Sequence, residues 1–500
     1  MTTPTIGPPS ATCSGTPAGS GTRLWRRDRT SIAPTVTLAA ALGAGALAAL
    51  VLRVDTPGFT YPLVGLVVAG AAVVAGRPRP SRGHLLAVAV TVAMLSVATV
   101  RGAGWLIALC VVAGWVVGSV ALLGVRRWTG IGLAPFAVWC TPTRLVGWVR
   151  RRGGRRGTGV RLRAPRVLGV VAVSAVLVTV FGWLFAEADP EFGRMLGGVA
   201  PSVHTDDLTA GIVTGSAVVV VSLALAYLWR RPIRLDRLAP PPRRPVAAWE
   251  WAVPLLALVL LFAGFVAVQV RVMFGGHEHV MTTPGLTYAQ YARQGFWQLC
   301  AVTVLTLVVI AIAVRRVNRG AARDRALARV LFGMLCLLAI VVVASALHRM
   351  SLYENAFGYT RLRLSVWAVE LWFGVVFGVL LVAGIRMRGD HLPRVVLGSA
   401  AAGLLIFAAV NPDGLVADRN VERYERTGSI DVSYLRGLTV DAVPALDRLP
   451  EPVRSCALRG TRVQPDAWYE FNAARARARE ILRERPVGPS ASCADTVTLG

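Results

Sequence analysis

Eleven apolar stretches of roughly membrane-crossing length follow one another between residues 31 and 410 of this chain. A bilayer core about 30 Å thick requires about 20 mainly apolar residues per helix. The stretches run approximately over 31–52, 60–76, 84–100, 103–125, 167–186, 208–229, 248–270, 294–314, 328–347, 364–385 and 395–410. Each is predicted to be a helix, because lipid offers no hydrogen-bond partner to an unpaired backbone. The predicted fold class is therefore all-α: a polytopic helical membrane protein with about 11 transmembrane helices.

The charge of the chain belongs to these membrane stretches and their connections. All 54 basic residues are Arg, and the formal net charge is +27. Residues 411–500 hold 13 Arg and 13 acidic residues, so they carry no net charge. Residues 1–410 hold 41 Arg and 14 acidic residues, and 41 − 14 gives the whole net charge of +27. Since the membrane part carries the charge, the excess does not indicate a nucleic-acid partner, and membrane lipids are the expected partners.

The distribution of Arg between alternate connections predicts the orientation. With a cytoplasmic N-terminus, the cytoplasmic connections contain 33 Arg, whereas the other side contains eight within residues 1–410. Cytoplasmic connections of membrane proteins are enriched in Arg and Lys. The predicted location is therefore the cytoplasmic membrane, with a cytoplasmic N-terminus and an extracytoplasmic C-terminus.

Changes in composition divide the chain into five parts. Residues 1–30 have the composition of a disordered basic tail on the cytoplasmic side, and residues 31–229 form a six-helix membrane segment with an Arg-rich cytoplasmic loop over 126–166. A Pro- and Arg-rich linker over 230–247 precedes a five-helix membrane segment over 248–410. Residues 411–500 are charged and helical in pattern, which predicts a small helical extracytoplasmic domain.

Two cysteines are assigned to the extracytoplasmic side, Cys456 and Cys493. Because disulfides form in oxidising compartments, these two are a candidate disulfide, with a pair of separate thiols as the alternative. Loop residues such as His204, His277 and His279 could bind zinc only if their loops met, and a solvated loop explains them better. We predict neither a metal nor a cofactor.

A group of ionisable residues lies at the extracytoplasmic ends of the later stretches. Arg361 and Arg363 flank the start of the tenth stretch, where long side chains can reach the interface, and Glu354 precedes them. Glu370 lies seven residues beyond Arg363, about 10 Å further into the bilayer, where a carboxylate must be protonated, paired or in contact with water. Either a structural ion pair or a proton or ion site in a transport path would account for it. The candidate polar cluster comprises Glu370, Glu354, Arg349, Arg361, Arg363, Arg293 and Arg271.

Three segments together resemble a known family. They are LTYAQYARQGFWQL (286–299), SALHRMSLYENAFGYTRLRLSVWAVELW (345–372), and NPDGLVADRNVERY with IDVSYLRGLTVDAVPAL after the eleventh stretch. Over about residues 250–480 the chain is similar to the bacterial integral membrane family catalogued as domain of unknown function 4153/4173. The resemblance implies a polytopic membrane protein without an assigned reaction.

The sequence leaves three functions open. The first is a transporter or permease that uses the outward-facing Arg and Glu cluster on a small solute. The second is a membrane scaffold or signalling component that binds an envelope protein through the C-terminal domain. The enzymatic alternative is a membrane transferase acting on a lipid-linked substrate, with Asp189 and Glu191 as its acidic residues. We expect a non-enzymatic function, because none of the common catalytic motifs occurs.

Overall fold

The computed structural model describes residues 35–52, 55–74, 80–150, 205–239, 246–274, 296–317, 320–386, 389 and 391–488. Within these ranges the chain is helical and contains no strand. The helices are α1 (Thr35–Val51), α2 (Thr60–Val74), α3 (Arg82–Val100), α4 (Gly104–Leu123), α5 (Trp128–Leu133), α6 (Pro142–Arg150), α7 (Thr205–Arg230), α8 (Ala248–Phe274), α9 (Phe296–Ala313), α10 (Ala322–Phe357), α11 (Arg361–Arg386), α12 (Leu392–Val410), α13 (Pro412–Thr427), α14 (Val432–Arg436), α15 (Val443–Leu446), α16 (Val453–Ala457) and α17 (Ala473–Glu484).

Seven helices among the described residues are long and apolar enough to cross a membrane: α3, α4, α7, α8, α10, α11 and α12. Shorter apolar helices coincide with three more of the predicted stretches, at α1, α2 and α9. The stretch predicted over 167–186 lies outside the described residues. The all-helical fold with several candidate membrane spans is thus confirmed, whereas the number of 11 spans and the extracytoplasmic C-terminal domain stay predictions.

The membrane helices pack in two groups that meet along α12. The first group contains α1–α4 and α7, and the second contains α8–α12. Helix α12 packs on α11 and also against α3 and α4 of the first group. The largest buried cluster, which includes Leu255, Leu335 and Phe377, lies within the second group.

Two arginines fasten α12 to α4, one at each end. Arg101, in the turn before α4, donates from Nε and Nη2 to the carbonyl oxygens of Ala408 and Ala409, at 2.8 and 2.6 Å. Arg394, at the start of α12, donates to the carbonyl oxygens of Val125 and Gly124, both at 3.1 Å. Ala408 and Ala409 lie in the last turn of α12, and Gly124 and Val125 directly follow α4, so each arginine also lies at the negative end of a helix dipole.

Residues 412–488, which we call the C-terminal unit, have a separate buried cluster that includes Val421, Leu435 and Leu446. Asn411 makes the turn between α12 and α13: its φ is 59°, and its Oδ1 accepts the N–H of Gly414 at 3.4 Å as a helix cap. Gly428, at φ 70°, ends α13. The unit contacts the turns at 55–59, 101–103 and 358–360, and we call this end of the helix bundle the docked face.

Of the predicted cytoplasmic loop over 126–166, the structure describes the segment 126–150. Phe136 and Trp139 are exposed, as expected for aromatic residues on a lipid surface. Trp148, in contrast, is buried and packs edge-on against Tyr227 of α7 with ring centroids 5.5 Å apart. Residues 151–166 lie outside the described ranges.

Candidate functional site

Asn420 of the C-terminal unit makes two hydrogen bonds to the turn between α10 and α11. Its side chain accepts the N–H of Tyr359 at 3.1 Å and donates to the carbonyl of the same residue at 2.9 Å. Gly358 has φ 80° and ψ 173°, a conformation almost restricted to glycine. A methyl group at Gly358 would lie 2.7 Å from Asn420 Oδ1, so both the backbone and the contact require glycine here.

Arg363 binds the C-terminal end of α10. Its Nη1 donates to the carbonyl oxygens of Phe357, at 3.3 Å, and of Gly358. Its Cζ lies 4.3 Å from the ring centroid of Tyr353, a cation–π contact. The guanidinium therefore closes the C-terminus of a helix, and its charge also acts on the neighbouring Glu354.

Glu354 is only 5% exposed, and its Oε1 makes no hydrogen bond. Leaving a buried polar atom unpaired costs about 1–3 kcal/mol. The Arg363 charge acts on Glu354, but no ion pair between the two is found among the described residues, and a common site for them stays a prediction.

Arg361 pairs instead with a carboxylate that the cluster did not include. Its Nε and Nη2 donate to Oδ1 and Oδ2 of Asp413 at 2.7 and 2.6 Å, a bidentate geometry. The Thr439 hydroxyl and backbone N–H also donate to Asp413 Oδ2, at 2.6 and 3.1 Å. Burial alone would raise the pKa of Asp413, but these hydrogen bonds hold it below its usual range.

Asp441 extends this polar network to the first helix group. Its Oδ2 accepts the N–H of Gly102 at 2.7 Å and lies 3.1 Å from the hydroxyl oxygen of Thr439, whose single proton is donated to Asp413. Burial raises the pKa of Asp441, and these contacts reverse the shift only in part. The two neighbouring carboxyls therefore titrate in opposite directions from their ordinary values.

Glu370 lies apart from the arginines of the cluster. It is 1% exposed, and its Oε2 is 3.5 Å from the Thr303 hydroxyl of α9, with the Cys300 thiol as its other neighbour. Among the described residues, no ion pair reaches it. The Thr303 hydroxyl is also 3.0 Å from the carbonyl oxygen of Leu299, one turn earlier in its helix.

The remaining members of the cluster are dispersed. Arg349 lies on α10 and is half-buried, and Arg271 is exposed in the last turn of α8. Arg293 lies outside the described residues, as do Asp189 and Glu191. The structure therefore gathers Arg361, Arg363 and Glu354 near one turn, and whether the full cluster forms a site stays a prediction.

The candidate disulfide is described at one of its two residues. Cys456 is buried and disulfide-bonded, whereas the described free cysteines are Cys110, Cys140, Cys300 and Cys336. Cys493 lies outside the described residues, so the pairing of Cys456 with Cys493 stays a prediction. Among the described residues, no group of three or more His, Cys, Asp or Glu side chains could hold a metal ion.

The network residues Asp413, Thr439 and Asp441 are missing from the polar cluster that the sequence predicts. Asp413 follows a predicted span directly, in the segment NPDG, and could have been noted as a carboxylate at a helix start. Nothing in the sequence around Asp413 indicates that its partner is Arg361, which begins a helix 52 positions earlier.

The family model of a domain of unknown function, DUF4153, matches residues 88–449, from within α3 to the end of the segment after α15. The chain belongs to the DUF4153 family. The predicted family is thus confirmed, but the match begins well before residue 250 and ends before residue 480, so most of the first helix group is part of the DUF4153 domain. No curated protein matches the chain, and neither does any solved structure.

Proposed function

We propose that this DUF4153 protein is a membrane scaffold of the cytoplasmic membrane, with an extracytoplasmic C-terminal unit that binds a protein of the cell envelope. The single observation that carries the proposal is the attachment of the C-terminal unit to both helix groups. The Arg bias of the connections supports the orientation.

The attachment to the first group is made by backbone carbonyls and N–H groups of its turns. Asn472 donates from Nδ2 to the carbonyl oxygens of Ala98 and Arg101 at 2.8 and 2.7 Å. Arg475 donates to the carbonyl of Pro57 at 3.0 Å, and the N–H of Phe59 donates to the carbonyl of Phe471 at 3.1 Å. The Gly102–Asp441 hydrogen bond adds a further contact.

The attachment to the second group is made by Arg361 with Asp413 and by Asn420 with Tyr359. Transporters that work by alternating access move one helix bundle against another. Such a motion at the docked face would break these hydrogen bonds, each worth about 1 kcal/mol and more where a charge takes part. A rigid platform therefore fits the geometry better than a rocking permease.

The test is capture of envelope proteins by the full-length protein after crosslinking in cells. Deleting residues 412–500 is expected to abolish the captured partner while the membrane part remains inserted and folded. Deleting residues 1–30, assigned to the other side of the membrane, is the control and should leave capture unchanged. An unaltered set of captured proteins after the C-terminal deletion would contradict the scaffold function.

A second function, proton- or ion-coupled transport, is supported by Glu370. Glu370 is buried in an apolar helix long enough to cross a membrane, and within the described residues no ion pair offsets its charge, so we expect its carboxyl to hold a proton. An intramembrane carboxyl that holds a proton can release it when its surroundings become wet. This would make Glu370 a proton site between α9 and α11.

Glu370→Gln distinguishes transport from a structural role, because Gln keeps a hydrogen-bond donor but cannot titrate. Coupled transport predicts a folded protein without proton-dependent flux in proteoliposomes. The matched control is Glu250→Gln, because Glu250 accepts the N–H of Ala247 at the start of α8 and requires no transport role. Normal flux in folded Glu370→Gln protein would end the transport proposal.

A further inference from the structure

A cavity opens among α9, α10, α11 and α12 at the end of the bundle opposite the docked face. Its volume is about 100 Å³, and its apolar walls include Ile310, Phe332, Cys336 and Leu380. Ala328, Phe332 and Cys336 are four residues apart on α10 and extend the wall by about 12 Å along one helix face. The cavity therefore has the form of a slot parallel to the helices.

A wider groove of about 540 Å³ adjoins the slot on the surface of α11 and α12. The two share Ala383 and Leu392, and the groove continues past Gly378 and Val382. These residues lie on helices long and apolar enough to cross a membrane, so the groove faces the lipid region. The chain that fills such a space in a bilayer is an acyl chain.

Arg329 lies at the polar end of the slot. Its side chain is exposed and lines the cavity, and within the described part of the chain it makes no hydrogen bond or ion pair. Arg315, Arg316, Arg323 and Arg325 lie at the same end, with Asp324 as the acidic residue among residues 310–329. The positive charge near the slot complements an anionic head group.

We propose that the slot and the groove bind one anionic phospholipid, with an acyl chain along α10 and α11 and the phosphate hydrogen-bonded to Arg329. Arg binds phosphate through several N–H donors in one plane. The surrounding arginines favour an anionic lipid over a zwitterionic one. This site is independent of the C-terminal unit and of Glu370.

Gly384 provides a way to fill the slot without disturbing its walls. It lines the cavity, and a methyl group added there would meet no atom within 4 Å. A leucine at this position would extend into the space assigned to the acyl chain.

The experiment is native mass spectrometry of the full-length protein, delipidated in mild detergent and then offered phosphatidylglycerol or phosphatidylcholine. We expect one phosphatidylglycerol to be retained in preference to phosphatidylcholine. Arg329→Gln should weaken phosphatidylglycerol binding by about tenfold, as for the loss of a charge-assisted hydrogen bond. Arg323→Gln, an exposed Arg of the same helix end that does not line the slot, is the control and should retain the lipid.

Gly384→Leu should weaken the binding of both lipids, because it acts on the acyl chain rather than on the head group. Thermal unfolding establishes that each variant is folded, and the comparison of the two lipids on the unaltered protein requires no variant. Equal retention of the two lipids would overturn the proposal. An equal effect of Arg323→Gln and Arg329→Gln would also overturn it, since the head group would then respond only to the general positive charge.

Discussion

Asp413 is a carboxylate without exposed surface that depends on two donors, Arg361 and Thr439. Asp413→Asn removes the charge and leaves the Arg361 guanidinium unpaired. Because Asp413 is fully buried but the Arg361 side chain is 31% exposed and can be solvated, the C-terminal unit should be destabilised by about 1.5–3 kcal/mol, as for the loss of a hydrogen bond to a charged group. Hydrogen exchange of the backbone amides in α13–α16 measures the change.

The matched control for this variant is Asp418→Asn. Asp418 is on the same helix and pairs with Arg448 at 2.9 Å, but both side chains are well exposed. Exposed ion pairs contribute at most about 1 kcal/mol. Similar destabilisation by the two variants would show that burial of the Asp413 pair does not matter.

Because the pKa of Asp413 is lowered and that of Asp441 is raised, the two carboxyls should change the stability of the C-terminal unit with pH in opposite directions. The lowered pKa of Asp413 contributes stability above about pH 4, the unfolded value, and this is lost as the pH falls through its folded pKa. The raised pKa of Asp441 contributes stability below about pH 4, which is lost as the pH rises through its folded pKa. Hydrogen exchange of the C-terminal unit across this range measures both effects.

Single variants separate the two contributions. Asp413→Asn should reduce the loss of stability below about pH 4, whereas Asp441→Asn should reduce the loss above it. If the two variants had parallel pH profiles, the two carboxyls would not titrate in opposite directions.

At the scale of residues, sequence reasoning could single out an unusual group but not its contacts. Glu370 was marked by its depth in an apolar stretch, and it is indeed buried. Its neighbours Cys300 and Thr303 come from another helix, and apolar periodicity carries no information about which helices touch. The sequence predicts Arg361 at the membrane interface, but its bidentate contact is with Asp413, which lies two helices later in the chain.

At the scale of helices, α1 and α7 cross closely because both present small residues. A methyl group on Gly215 would lie 2.7 Å from the carbonyl oxygen of Gly45, and one on Gly211 would lie 2.7 Å from that of Ala49. Gly211 and Gly215 are four residues apart, the spacing of a close helix-packing motif in membranes. The crossing therefore depends on the absence of side chains.

Gly215→Leu is expected to separate α1 from α7 and to destabilise the folded protein by about 1–3 kcal/mol or more, since the added atoms overfill a packed contact. Thermal unfolding in detergent measures the loss. Gly43→Leu is the control on α1, because a methyl group there meets no atom within 4 Å. A comparable loss in both variants would indicate a general effect of Gly replacement and not the crossing.

Helix positions were largely predictable from hydropathy, whereas helix lengths were less so. The ninth predicted stretch covers 328–347, but α10 extends over Ala322–Phe357. Its ends contain charged and polar residues that hydropathy assigns to connections. The C-terminal extension is stabilised by Arg363, which donates to the carbonyl oxygens of Phe357 and Gly358.

At the scale of the whole molecule, the family and the all-helical membrane fold could be predicted because they rest on motifs and on the length of apolar stretches. The joining of the two helix groups by α12 and by the C-terminal unit could not. It depends on single hydrogen bonds such as that from Asn472 to Ala98, between residues 374 positions apart.

Asn472 tests whether this attachment makes the molecule one rigid body. The side chain is fully buried, its Nδ2 donates to two carbonyls of the first helix group, and its Oδ1 accepts the N–H of Arg475 at the start of α17. Asn472→Asp keeps the acceptor for the helix start but replaces the donor by a second acceptor. Loss of the two hydrogen bonds should cost about 2 kcal/mol or more.

The expected result is faster hydrogen exchange in α17 and in the turns at 55–59 and 101–103. Exchange in α13 and α14 should change little, because the ion pair of Asp413 with Arg361 remains intact. Arg477→Gln, an exposed position on α17, is the control and should leave exchange unchanged. If the turns of the first helix group exchanged normally in Asn472→Asp, the C-terminal unit would not hold them in place, and the two groups would be free to rock against each other.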